Sequence, residues 1–243
     1  MARKESLDKD LLKLKNDPDF KALSEPAGGP GELKAKVLDK ISAFSSKTFA
    51  VIKFLLGLAL LPFVFSNTIA LLSQFSLIDK GLQRLFWNGV GSFLVIYLFI
   101  WEPAPVYNKG HKILELVFNF FKPLVKVAPF LLPIYTILVF SFYGLLALGI
   151  TSPGLIQSTM FLTGFTLILH LTFAAKNIRH KKGDFLKGNY IFGFSFIYIL
   201  NLSLVAFGFS LIFREFSFVD FCNISYAVTR DIYAAIFKQL FRV

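Results

Sequence analysis

The polar stretch WEPAPVYNKGHKILELVF, residues 101–118, carries side chains that could do metal or acid–base chemistry between two apolar runs. His111 and Glu115 are four residues apart, so on a helix their side chains share one face. Zinc accepts both an imidazole nitrogen and a carboxylate oxygen as ligands. The alternative interpretation is a wet helix start, with His111 at the membrane interface and Glu115 paired with a nearby lysine.

A second group of candidates lies inside the apolar runs. His170 falls in the middle of LILHLTFAA, and ionisable side chains within a bilayer are costly and therefore functional candidates. The alternative is a neutral histidine hydrogen-bonded to a neighbouring helix, for instance to Asn201 or Ser203. We interpret Asn201 in the same way, as an interhelical hydrogen-bond partner.

The composition identifies the class of protein that must position these residues. Of 243 residues, 55% are hydrophobic and 17% are charged, and Phe alone occurs 31 times. Mean hydropathy is +0.63, and the apolar runs are long enough to predict spanning helices. The net charge of +11 is explained by basic loops at a membrane, so we expect no nucleic-acid partner. Cys222 is the single cysteine, which excludes an intrachain disulfide or a thiolate metal cluster.

The sequence predicts an all-α, polytopic membrane protein with about five spans. The membrane domain covers residues 48–213. Its predicted spans are Phe49 to Leu72, Leu85 to Trp101, Ala128 to Ile150, Leu155 to Ala175 and Tyr190 to Phe213. Between the second and third, LELVFNFFKPLVKV is too short and too polar to cross alone, which indicates a re-entrant or half helix.

Two polar segments flank the membrane domain. Residues 1–47 hold 10 Lys/Arg and 8 Asp/Glu and show no cleavable signal sequence. From Glu32 onward the arm regains helical spacing and is expected to continue into the first span. We interpret this arm as cytoplasmic and as a docking element for a partner protein. Residues 214–243 mix apolar and charged side chains, which predicts an amphipathic helix at the membrane interface.

Loop charges set the predicted orientation. The connection 176–188 holds five Lys/Arg, whereas TSPG, residues 151–154, holds none. The positive-inside rule puts the basic loop, the N-terminus and the His111 segment in the cytoplasm. His111 and Asp184 are then expected at the same membrane face, although they are 73 residues apart.

Three segments together resemble a known family. VYNKGHKILEL, APFLLPIYTILVFSFYGLL and FLTGFTLILHLTFAAKNIRHKKGDFLKGNYIFGFSFIYILNL resemble a bacterial branch of the site-2-protease-like intramembrane zinc metallopeptidases, over about residues 100–213. Members carry a G-H-E-x-x-H helix, an A-P-Y/F-x-x-P-x-Y segment, an H-L-T-F-T span and then a loop with an aspartate. The resemblance implies that His111 matches the first zinc ligand and Asp184 the remaining carboxylate ligand.

The departures from this pattern affect catalysis directly. The family places its general base where this chain has Lys112, and a cationic ammonium cannot take a proton from metal-bound water. Its second histidine ligand is replaced by Glu115, and the usual glycine-containing insertion before the A-P-Y segment is shortened to NFFKPLVKV. Loss of a general base costs about 10² to 10⁴ in rate, so the resemblance implies a pseudoprotease.

The sequence therefore predicts a non-catalytic scaffolding subunit of a larger assembly in the bacterial inner membrane. No catalytic residue and no cofactor are expected, although His111, Glu115 and Asp184 could retain a vestigial zinc ion. The expected partners are other membrane subunits, contacted through the N-terminal arm and the spans, and the lipid bilayer. Two alternatives stay open: an intramembrane zinc metallopeptidase with unusual ligands, and a carrier or channel subunit with His170, Glu115 and Asp184 along an ion path.

Overall fold

The computed structural model describes residues 30–100, 102–119, 128–149, 152–180 and 190–241. The chain divides into two compact units, residues 1–51 and 52–243, and the fold below is that of the second. Within the described residues the regular structure is helical and contains no strand. Residues 1–29 of the predicted arm lie outside the described part of the chain.

Within the described residues, the longer helices follow one another in this order. They are α1 (Pro30–Phe75), α2 (Lys80–Val95), α3 (Ala104–Val117), α4 (Ile134–Ala147), α5 (Pro153–His180), α6 (Tyr190–Ile212) and α7 (Phe218–Phe241). Helix α1 runs from before Glu32 through the first apolar run, as the spacing from Glu32 predicts. Helix α2 begins at an N-cap, where the Asp79 carboxylate accepts from the backbone N–H of Gly81 and of Leu82, and it continues as a π-helical turn, Ile96–Ile100.

Among the residues that the structure describes, four helical segments are long and apolar enough to cross a membrane, which identifies a helical membrane protein. They are Val51–Phe75, Lys80–Ile100, Pro153–Ile178 and Tyr190–Ile212. The third span was predicted as one helix, but the structure interrupts it. A short helical stretch at 128–131 is separated from α4 by two non-helical residues. Pro133 explains the break, since a proline lacks the N–H that would continue the ladder. Helix α4 has 14 residues, about 21 Å of helix, less than the hydrocarbon thickness of about 30 Å.

Helices α2 and α5 cross at two glycines. A Cβ on Gly89 would lie 2.0 Å from the Phe161 carbonyl oxygen, and one on Gly164 would lie 2.1 Å from the Phe86 carbonyl oxygen. Each helix therefore packs its backbone against the other, as small residues permit in membrane helix pairs. The reciprocal contacts also show that the two helices run antiparallel.

A cluster of phenylalanine rings joins this pair to the neighbouring helices. The Phe209 ring of α6 lies 5.6 Å from Phe75 and 6.0 Å from Phe86, centroid to centroid. On its other side it meets Phe140 of α4 at 5.9 Å. Such packing supplies the attraction between helices that lipid-like side chains alone do not provide.

The C-terminal helix α7 packs along α1. Gln74 Oε1 accepts from the backbone N–H of Ser217 at 3.0 Å, and Thr229 Oγ1 donates to Ser66 Oγ at 2.7 Å. Farther on, the Tyr233 hydroxyl donates to the Ala59 carbonyl. Residue numbers rise along α7 as they fall along α1, so the helices are antiparallel. The segment for which the sequence predicts an amphipathic interfacial helix thus forms a helix that lies alongside the first candidate span.

Candidate functional site

The polar segment after the second span is fixed at its start by an ion pair. Glu102 accepts a hydrogen bond and salt bridge from Lys176 of α5. Both side chains are about half exposed, so the pair lies at the surface. It ties the start of α3 to the end of the fourth predicted span, where the basic loop begins.

Helix α3 buries one face, formed by Tyr107, Gly110 and Leu114. These residues recur at intervals of three and four, the period of a helix face. A Cβ on Gly110 would lie 2.7 Å from a ring carbon of Tyr135, so only glycine allows α3 to approach α4 this closely. The Tyr135 hydroxyl in turn donates to the Val106 carbonyl at 2.5 Å. Helix α3 is thereby held against the start of α4.

The predicted ligands His111 and Glu115 lie on the flank of α3, next to this buried face. His111 Nε2 is 3.8 Å from Glu115 Oε1, and the two side chains are 21% and 49% exposed. The spacing argument thus correctly places them on one face. Lys112 points to the exposed side of the helix, about 100° around from His111. The Lys112 side chain is therefore directed away from the buried face of α3.

Asp184, the third predicted ligand, lies outside the described residues. Within the described ranges, no group of three His, Cys, Asp or Glu side chains comes together as a metal site. His111 and Glu115 alone supply two ligands of the four that a structural zinc site needs.

His170 is buried in α5, with 4% of its surface exposed. Its Nε2 lies 3.2 Å from the carbonyl oxygen of Phe130. Because a carbonyl can only accept, the proton of the neutral ring is on Nε2. The sequence suggested Asn201 or Ser203 as the hydrogen-bond partner of His170. The partner in the structure is instead the backbone carbonyl of Phe130, just before the Pro133 break.

Asn201 of α6 anchors the adjacent backbone group. Its Nδ2 donates to the Leu131 carbonyl at 3.0 Å and to the Ile197 carbonyl at 2.7 Å. If the helix continued through Pro133, its own N–H groups would bond the carbonyls of Phe130 and Leu131. Instead, Ile134 N–H donates to Leu132 at 2.9 Å, which leaves the last carbonyls of the short stretch to side chains from other helices.

His111 and His170, which were predicted as separate candidates, share the same neighbours. The Tyr107 ring centroid lies 5.9 Å from that of His111 and 6.0 Å from that of His170. The His111 ring also meets Phe130 edge to face, at 4.8 Å. We define these four residues, Tyr107, His111, Phe130 and His170, as the histidine cluster. It joins α3, α5 and the stretch before Pro133.

The members of the histidine cluster that were not predicted from the sequence are Phe130 and Tyr107, and of these Tyr107 could have been found. Its position four residues before His111 was the available signal, because that spacing places both rings on neighbouring parts of one helix face. Burial raises the pKa of the Tyr107 phenol to about 12, and the Asn177 side chain acts in the opposite direction. The phenol is therefore neutral at physiological pH and contributes an aromatic surface to the cluster.

These features define a helical membrane protein whose buried polar side chains hold an interrupted helix in place. In comparisons with known proteins, no family model, no curated protein and no solved structure matches the chain.

Proposed function

We propose that this protein is a non-catalytic structural subunit of a larger assembly in a bacterial inner membrane. In this proposal the N-terminal arm and the His111 segment face the cytoplasm. The fold is a degenerate form of the metallopeptidase scaffold that the sequence resembles. Its partners are other membrane subunits.

The observation that carries the proposal is the pair of hydrogen bonds made by His170 and Asn201. Each donates to a backbone carbonyl next to the Pro133 break, from a different helix. An unpaired carbonyl in an apolar interior costs about 1–3 kcal/mol, so these bonds give both side chains a structural role. A histidine that must donate to a carbonyl is also poorly suited to carry protons along an ion path.

The exposed position of Lys112 supports the same conclusion. The family's mechanism needs a carboxylate beside the metal-bound water, whereas Lys112 offers a cation that faces outward. His111 is packed against Phe130, and Glu115 is half exposed. These surroundings favour a structural role for α3 over a catalytic one.

Purification from the native membrane tests the proposal. Full-length protein and a variant lacking residues 1–47 should be solubilised in mild detergent and sized with their bound proteins. We expect the full chain to migrate in a complex of fixed composition and the shortened chain to lose at least one component. A full chain that purifies alone as a monomer would refute the scaffold role.

Metal analysis separates the scaffold from the metallopeptidase alternative. We expect less than stoichiometric zinc in the purified protein and no chelator-sensitive cleavage of a membrane-embedded peptide. Stoichiometric zinc that disappears in both His111→Ala and Asp184→Ala would support an enzyme. For the carrier alternative, the matching result is a proton or ion flux in liposomes that is lost in His170→Ala.

A restoration experiment tests whether α3 can present a pair of zinc ligands on one face. Lys112→Glu combined with Glu115→His rebuilds the H-E-x-x-H arrangement on α3, with two imidazoles four residues apart. We expect zinc affinity to rise about tenfold or more over the unaltered chain, equivalent to about 1.4 kcal/mol. The matched control is Lys112→Glu with Ile113→His, which puts the second imidazole about 200° around the helix from His111. Equal zinc affinity in both variants would contradict the geometry described for α3.

A further inference from the structure

An ion pair stands on the outer face of helix α7. Arg230 donates to Asp231 Oδ1 from Nε at 3.0 Å and from Nη2 at 2.9 Å. The two side chains are 63% and 68% exposed. Helix α7 contacts α1 through Thr229 and Tyr233. At about 100° per residue, Arg230 lies on the flank of this contact and Asp231 on the side of α7 opposite to it.

The contacts of α7 with α1 give the depth of this pair. The first candidate span is Val51–Phe75, a segment of 25 residues with Phe63 at its middle. The Tyr233 ring lies 6.1 Å from that of Phe63, and Thr229 bonds to Ser66. Arg230 and Asp231 lie between Thr229 and Tyr233 in sequence. They are therefore within about one helical turn of the centre of the span.

Charged groups at this depth require a polar neighbour. A charge at the centre of a bilayer is costly unless it can reach water or a polar group. The internal ion pair neutralises the net charge, but it uses only Nε and Nη2 of Arg230 and one carboxylate oxygen of Asp231, which leaves further donors and an acceptor on two mostly exposed side chains. Lipid chains cannot satisfy these groups.

We propose that a second copy of this chain covers the outer face of α7 and exchanges the ion pair across a two-fold axis. In such a dimer Arg230 of each copy bonds Asp231 of the other. The inference rests on the proposed function, because it supplies one contact surface of the scaffold. Copies inserted with the same topology and related by an axis normal to the membrane present identical depths to each other.

The charge pattern is the reason to prefer a second copy to a different partner. The exposed pair is neutral and offers one cation and one anion at the same level, so a fitting surface must offer an anion and a cation at that level too. A second α7 meets this condition by symmetry. Ala227 and Ala234 lie on the same side of α7 as the pair, at three- and four-residue spacing. Small side chains at these positions allow close approach of two helices.

A charge-exchange experiment tests the pairing. Arg230→Asp gives a chain with two adjacent carboxylates, and Asp231→Arg gives one with two adjacent guanidinium groups. Alone, each variant should self-associate at least tenfold more weakly than the unaltered chain, because like charges meet across the axis. Co-expressed with different tags, the two variants should form a mixed dimer at close to the unaltered level. That rescue also shows that both variants fold.

Cysteine crosslinking supplies the readout in the native membrane. In a Cys222→Ser background, Ala234→Cys places one thiol on the proposed interface, and Leu145→Cys places one on an exposed face of α4 as the control. Oxidation should give a covalent dimer of this chain for Ala234→Cys and none above background for Leu145→Cys. In the charge variants, the Ala234→Cys dimer should be mostly the mixed species.

The proposal would be overturned by equal crosslinking at the two positions, by undiminished self-association of either charge variant, or by a crosslink from Ala234→Cys to a different protein. Rapid alkylation of Ala234→Cys by a membrane-impermeant maleimide without dimer formation would also overturn it, since the face would then line water. None of these results affects the native-complex test with the variant lacking residues 1–47, so the scaffold role can stand or fall separately.

Discussion

Alanine at Gly89 would place a methyl group inside the contact between α2 and α5. Its Cβ would lie 2.0 Å from the Phe161 carbonyl oxygen, whereas ordinary contact begins at 3.4 Å. Either the helices separate by about 1.4 Å or the backbone bends. Because the obstacle is backbone, rotation of a side chain cannot relieve the clash.

The expected cost follows from three contributions. Overpacking of a tight contact costs about 1–3 kcal/mol. Separation of the helices also weakens the two reciprocal contacts between glycine Cα–H groups and carbonyls, each worth about 0.5–1 kcal/mol. Against this, alanine gains about 0.5–1 kcal/mol over glycine within a helix. We therefore expect Gly89→Ala to lower the free energy of unfolding by about 1–4 kcal/mol.

Gly91 on the same helix provides a matched control. A Cβ at Gly91 would meet no atom within 4 Å, so Gly91→Ala keeps only the gain in helix propensity. Unfolding by detergent titration can be followed through Trp87, whose indole packs on the Phe86 ring at 5.4 Å. Gly91→Ala should unfold at the same or a slightly higher denaturant fraction. Equal destabilisation by the two variants would refute the close backbone packing of α2 on α5.

Three further predictions concern the candidate site. His170→Leu and Asn201→Leu should each lower the free energy of unfolding by about 1–3 kcal/mol, because each leaves a carbonyl next to the break unsatisfied in an apolar interior; detergent titration measures both, and losses below about 0.3 kcal/mol would contradict the anchoring role. Because the pKa of Tyr107 is raised in the folded state, its neutral form stabilises the fold fully below about pH 10, and this stability is lost as pH rises from about 10 toward 12. Tyr107→Phe should remove that loss, which unfolding measurements at several pH values would show. Glu102→Gln should cost less than about 1 kcal/mol, because its ion pair with Lys176 is half exposed, and the difference should vanish in high salt.

The helical membrane class and most span positions follow from the sequence, because they depend on local hydropathy. The predicted spans near 49–72, 85–101, 155–175 and 190–213 correspond to the candidate spans found among the described residues. The interruption at Pro133 was not predicted, although the proline was visible. Membrane helices often contain proline without breaking, since neighbouring helices can satisfy the freed groups. Whether a given proline breaks its helix depends on those neighbours.

The candidate site was predictable only in its local parts. The shared face of His111 and Glu115 follows from their four-residue spacing, and the structure reproduces it. The contacts of His170 and Asn201 with the carbonyls of Phe130 and Leu131 join residues 40 and 70 positions apart. Pairings at such separations are set by how the helices pack. The residue spacing within one helix therefore cannot predict these pairings.

The histidine cluster shows why a resemblance in motifs does not settle a function. Phe130 links the two histidines, because its carbonyl accepts from His170 while its ring packs on His111. A substitution at His170 therefore moves the surroundings of His111 whether or not either ring binds a metal. Loss of activity on mutation would be expected of a structural anchor and of a catalytic group alike. A measurement of stability beside any measurement of activity is what distinguishes the two roles, since an anchor lowers both together and a ligand on the half-exposed flank of α3 changes metal binding with the fold intact.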